Sequence, residues 1–122
     1  MLQNTFYTVK DFSQTQDTLH ARIQFNAEHP VFEGHFPKQP IVPGVCMVQI
    51  VRELAEQKVQ QPLRIHEGDH IKFLKFVNPT ERPEVEITIA LRQQTSGYGV
   101  QATMFDGEDV LFKFTGSFQS LV

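Results

Sequence analysis

A chain of 122 residues is long enough for one domain with a sizeable core and too short for two, so residues 1–122 read as a single domain. A net charge of −3, with Lys and Arg scattered rather than in runs, offers no basic face to nucleic acid, and 40% hydrophobic residues is far from a disordered composition. One cysteine leaves no internal disulfide and suits a reducing compartment.

Phe6 to Phe12 has strand-like composition, and Gln14 to Asp17 reads as a turn. Thr18 to Asn26 alternates cleanly, with Leu19, Ala21, Ile23 and Phe25 on one side and His20, Arg22 and Gln24 on the other. These two segments suit an antiparallel pair. The stretch from His29 to Glu53 then gathers four of the seven prolines in a loop that runs straight into an apolar helix. From Val45 to about Gln60 neither proline nor glycine occurs. Steps of 100° place Met47, Val48, Ile50, Val51, Leu54 and Ala55 on one broad face and Gln49, Arg52, Glu53, Glu56, Gln57 and Gln60 on a polar stripe opposite. The first turn is apolar on nearly all sides, which predicts a helix that enters buried and leaves solvated, with Pro62 marking its end. The longest apolar tract, Ile41 to Val51, is too short to cross a bilayer, and the N-terminus lacks a charged leader followed by an apolar run. A soluble cytoplasmic protein without membrane association is the expectation.

Period two returns after Pro62. Ile71 to Val77 is rich in Phe and Val, and Val85, Ile87, Ile89 and Leu91 alternate with polar partners. Ser96 to Gly99 reads as a turn, and Val100 to Phe105 and Val110 to Phe118 as strands around Asp106-Gly107. Two strands, one long helix and four or so further strands predict the α+β class, an antiparallel sheet curled around a single central helix.

Gly34-His35-Phe36-Pro37, then Pro40, then Pro43-Gly44-Val45 resembles the signature of the hotdog-fold 3-hydroxyacyl-acyl-carrier-protein dehydratases of fatty-acid synthesis, with matching spacing. The helix, the strand around Ile71 to Phe76 and the closing strands fall where that family has them, so the resemblance covers nearly the whole chain. It implies a hotdog fold and a catalytic pair made of a loop histidine, here His35, and a helix carboxylate. The carboxylate position, fourteen residues later, is Gln49, while Glu53 stands where the family often has glutamine; acid and amide have changed places. Lys38 also departs from the family's glycine. The resemblance further implies an acyl-carrier-protein or CoA thioester as substrate. It implies a homodimer joined edge to edge with the site at its interface, and leaves room for a trimer of dimers.

Dehydration of a 3-hydroxyacyl thioester needs a base for the α-proton, which suits a neutral imidazole, and an acid for the departing hydroxyl. Backbone N–H groups at a helix start can hold the developing enolate charge, which makes Gly44 and Val45 the oxyanion candidates; Gly44 also permits close approach of a thioester. Phe32 and Phe36 read as pocket wall or core, apolar packing in either case, with Phe36 the substrate-binding candidate. Gln49 can bind a hydroxyl but cannot give up a proton at neutral pH. Three readings stay open: Glu53, about 6 Å further along the helix axis, serves as the acid; His35 handles both proton transfers while Gln49 orients the hydroxyl; or the protein binds acyl carriers without turning them over, as a carrier-binding or partner subunit. Glu53 reads equally well as a solvated helix residue. A hotdog thioesterase is a further alternative, against which the Gly-His-Phe-Pro loop weighs. No cofactor is implied, because the thioester acidifies its own α-carbon. His66 and His70 flank Gly68-Asp69, which reads as a turn with no third ligand placed, so no metal site is expected. Cys46, among apolar neighbours, reads as a buried small hydrophobe rather than an activated thiol.

Overall fold

The structure is a computed structural model that describes residues 1–34 and 40–121. Six strands and two helices follow one another as β1 (Tyr7–Gln14), β2 (Thr18–Phe25), the single-turn α1 (Val31–Gly34), α2 (Gly44–Val59), β3 (Leu63–Phe73), β4 (Glu84–Gln94), β5 (Gly97–Asp106) and β6 (Asp109–Ser120). The strands form one antiparallel sheet in the order β1-β2-β4-β5-β6-β3, which leaves β1 and β3 as its edges.

The registers align the alternating apolar positions into continuous rows. Leu19 pairs with Ile89, Ile89 with Ala102, and Ala102 with Phe114; in parallel, Ala21 leads through Ile87 and Met104 to Phe112. Every one of these side chains is buried. They face Met47, Ile50, Val51, Leu54 and Ala55 of α2, also buried, so a single apolar layer fills the space between sheet and helix. The helix ends where Gln60 turns left-handed at φ 58°, its N–H bonded to the Glu56 carbonyl at 2.8 Å.

Three sequence expectations are corrected. Val45, in a first turn expected to be buried, is 77% exposed in the single chain. Glu53, assigned to the solvated stripe, lies inside, because the buried arc of α2 extends one residue beyond the apolar pattern. And β3 begins at Leu63 rather than Ile71, running straight through His66 and His70 where a turn was expected. Its register against β6 shifts between Ile65 and Glu67 and again between Gly68 and His70, the signature of bulges that absorb extra residues at a sheet edge. Gly116 of β6 makes room for this path: a Cβ there would collide with the Glu67 carbonyl oxygen. As an edge strand β3 buries only Leu63, so it has no alternation for a sequence pattern to reveal.

Candidate functional site

The site is built around the start of α2. Pro43 precedes the helix in an extended conformation (φ −63°, ψ 143°) and contributes no side-chain cap. The N–H groups of Cys46 and Met47 turn back to the Pro43 carbonyl, whereas those of Gly44 and Val45 find no acceptor among the described residues. These are the orphan donors of a helix start, which carry partial positive charge. Two contacts set the position of this helix start. Val42 N–H bonds the Val77 carbonyl at 2.8 Å, tying the entry to the segment after β3. The Phe73 ring lies so close to Gly44 that a Cβ there would sit 2.7 Å from its tip. The close approach that Gly44 permits is thus taken by Phe73, itself stacked on Phe112 at 5.2 Å and half exposed.

One and a half turns into the helix, Gln49 sits half-buried at the rim, and its amide nitrogen donates to Glu53 Oε2 at 2.8 Å. Glu53 is 1% exposed, and it alone among the described residues is a charged side chain in the core. Its Oε2 also accepts the Leu2 N–H at 2.8 Å; its Oε1 accepts the Gln3 N–H at 2.9 Å and the Tyr7 hydroxyl at 3.1 Å. Each oxygen therefore receives one backbone and one side-chain donor. A buried carboxylate without such partners would cost several kcal/mol. Burial first, and then the neighbouring Glu53 charge, push the Tyr7 hydroxyl above its ordinary range, so it remains a donor. The same two causes, in the same order, raise the Cys46 thiol, which agrees with an inert packed side chain.

The structure thus joins Gln49 to Glu53 and places both on the helix whose first turn holds Gly44 and Val45. His35 and Phe36, with Lys38, lie outside the described residues. The loop's first half is anchored by rings: Phe6 stacks on Phe32 at 5.4 Å and meets the edge of His29 at 5.3 Å. Sequence reasoning missed Tyr7 and the Leu2 and Gln3 amides. Its one available signal was a glutamate three residues after Ile50 and one before Leu54, at the margin of the apolar face.

Comparison with known proteins gives this geometry a context. The family model for ApeI-like dehydratases (ApeI dehydratase) matches residues 11–110. The 3-hydroxyacyl-[acyl-carrier-protein] dehydratase FabZ of Bacillus velezensis is 32% identical over 89 residues, which cover 67% of this chain and 63% of that protein. FabZ of Shewanella pealeana is 28% identical over 112 residues, covering 84% of this chain and 72% of the relative. This chain therefore spans a little under two thirds of the Bacillus protein. Among solved structures, a chain of the dehydratase heterocomplex ApeI:P from Xenorhabdus doucetiae matches with a TM-score of 0.73 at 16% identity, covering 91% of this chain and 96% of that one. The dehydratase domain of the CurJ module of curacin polyketide synthase matches at 0.61 and 18% identity, over 93% of this chain and 42% of that one. At these identities the structures establish the fold, which is the hotdog fold expected from the sequence. No helix among the described residues is long and apolar enough to cross a membrane.

Tyr7→Phe keeps the ring and withdraws one donor from Glu53. It is expected to lower the unfolding free energy by about 1.5 kcal/mol. The shift would be read as a lower denaturant midpoint at unchanged slope. An unmoved midpoint would show that the hydroxyl does not hold the carboxylate.

Proposed function

This chain belongs to the ApeI-like dehydratase family, and on that premise we propose that it removes water from 3-hydroxyacyl thioesters carried on acyl-carrier protein, giving trans-2-enoyl thioesters. The observation that carries the proposal is the amide–carboxylate pair of Gln49 and Glu53 at 2.8 Å, on a helix that opens with unengaged N–H groups and follows the Gly34-His35-Phe36-Pro37 motif. The FabZ relatives, which are 3-hydroxyacyl-[acyl-carrier-protein] dehydratases, support the reaction and the carrier.

In this reading neutral His35 takes the α-proton, and the Gly44 and Val45 N–H groups stabilise the charge that develops on the thioester oxygen. Those donors are fixed by the helix, so they need no reorganisation as charge appears. Gln49 hydrogen-bonds the 3-hydroxyl. Phe36 contributes to the acyl pocket. Charge stabilisation of this kind is commonly worth about 3 kcal/mol per donor, comparable to the contribution of the base.

The site is completed by a second copy of the chain. Among the described residues nothing pairs with the outer edge of β3, and Ile65, Ile71, Phe73, Leu74 and Phe76 expose 42 to 85% of their surface along it and just beyond. A long apolar edge of this kind is an aggregation hazard unless another strand covers it. Antiparallel pairing of β3 with its counterpart would extend the ladder and cover these side chains, and would bring the partner's loop toward α2. A second reading, a partner subunit in a mixed dehydratase complex, is favoured by one observation: the Glu53 carboxylate is fully engaged by internal donors. The ApeI:P dehydratase of Xenorhabdus doucetiae, itself a heterocomplex, gives that reading a concrete parallel.

The purified chain, offered a 3-hydroxyacyl thioester of acyl-carrier protein, should form the 2-enoyl product, and His35→Ala should reduce the rate at least about 10²-fold. Product formed at full rate by His35→Ala would sink the mechanism. Binding of carrier without product would favour the partner-subunit reading. Ile71→Lys, which places a charge on the free edge, should move the sedimenting species from dimer to monomer and lower activity with it. A dimer that survives this change would mean that another face joins the copies.

A further inference from the structure

We infer that Glu53 is the positioning residue of this site: by accepting the Gln49 amide N–H it turns the Gln49 carbonyl oxygen outward, so that the substrate hydroxyl meets a hydrogen-bond acceptor and no acid. The inference rests on the dehydratase reading and specifies how that reading operates. The orientation of the amide follows from chemistry. A carboxylate oxygen at 2.8 Å repels a carbonyl oxygen and attracts an NH₂ group, so the nitrogen end faces Glu53. The carboxylate cannot easily exchange roles, because Leu2 and Gln3 engage one oxygen each through backbone N–H groups, which only donate. Nor can a substrate reach it directly. Glu53 is 1% exposed, and its oxygens are held by the Leu2 and Gln3 amides and the Tyr7 hydroxyl.

The consequence is a single-base elimination. The α C–H bond breaks, its proton passes to the neutral histidine, and its electron pair becomes the Cα–Cβ double bond. The C–O bond breaks with its own pair on oxygen, and that oxygen takes the proton back from the imidazolium and leaves as water. The histidine ends neutral, and one enoyl thioester and one water are produced. Gln49 holds the hydroxyl by its O–H and leaves an oxygen lone pair free for the returning proton. The titratable groups that interact with Glu53 are Tyr7 from β1 and Cys46 from the preceding turns of α2, and Glu56, one turn on, acts on Tyr7; burial first and then Glu53 raise both Tyr7 and Cys46, so they stay protonated at neutral pH.

The test compares three proteins on one 3-hydroxyacyl-pantetheine thioester over the pH range in which each stays folded: the parent, Glu53→Gln, and the exchanged pair Gln49→Glu with Glu53→Gln. The parent should show no high-pH falling limb of the kind that deprotonation of a carboxylic acid produces. Glu53→Gln should lose about 10²-fold in kcat with KM within about twofold, because the released amide no longer holds one orientation. The exchanged pair should regain at least about tenfold over Glu53→Gln and acquire a falling limb, since a carboxyl then faces the hydroxyl. A merely structural Glu53 would leave kcat per folded molecule of Glu53→Gln close to that of the parent. A falling limb in the parent that vanishes in Glu53→Gln would make Glu53 the acid and overturn the inference alone. A high-pH falling limb in the parent already counts against a site without an acid, even where a variant fails to fold. Absence of enoyl product from the parent at every pH would overturn the dehydratase reading, and this inference with it.

Discussion

A carboxylate withdrawn from water must have each oxygen met by donors, or the helix that carries it cannot settle into an apolar core. In this chain that requirement falls on Glu53. Its four donors come from Leu2 and Gln3, from Tyr7 on β1 and from Gln49 on the same helix. The N-terminal segment, the first strand and α2 are therefore held together at one point by polar bonds inside an otherwise hydrophobic contact. The apolar layer supplies the bulk of the stabilisation, but hydrophobic contact is non-directional. The Glu53 bonds add direction: they specify how deep the helix lies and which side of it faces outward. That in turn places Gln49 at the rim and sets the course of the helix from Gly44 onward.

The surroundings of the helix start are arranged on the same scale. Val42 is bonded to Val77, Phe73 covers Gly44, and among the described residues no strand covers the outer edge of β3. These features lie within the segment that links the edge strand to the helix entry, where a single chain exposes Val45, Phe73, Leu74 and Phe76 together. A patch of that composition suits burial against another protein surface. Under the proposed reaction, covering it would exclude water from the unengaged helix N–H groups and strengthen their electrostatic effect on the thioester. Assembly and chemistry would then depend on the same few residues.

Much of this architecture was legible in the sequence, for identifiable reasons. β2, β4 and β6 each bury one face, so Leu19 to Phe25, Val85 to Leu91 and the phenylalanines at 112, 114 and 118 carry a period-two pattern. The helix lay between Pro43 and Pro62 and could hardly be placed elsewhere. The first half of β3 carries no such pattern, because both its faces are open in the single chain and because Gly68-Asp69, a common turn pair, here belongs to a bulged strand opposite Gly116. The resemblance to a family signature pointed to the helix start and to His35, which lies outside the described residues, and the Gln49–Glu53 exchange was visible as a departure from the family pattern. The burial of Glu53 was not visible. Its partners lie 46 to 51 residues away along the chain apart from Gln49, and two of them are backbone amides, which no side-chain pattern encodes.

A crystal structure with an amide analogue of a 3-hydroxyacyl-pantetheine thioester would show whether Gln49 offers its carbonyl oxygen to the substrate while Glu53 stays behind it. The 3-hydroxyl oxygen is expected within about 3 Å of Gln49 Oε1, with the Gln49 nitrogen still on Glu53 and the Leu2 and Gln3 amides in place. A hydroxyl in contact with the Glu53 carboxyl, with the N-terminal segment displaced, would contradict this arrangement.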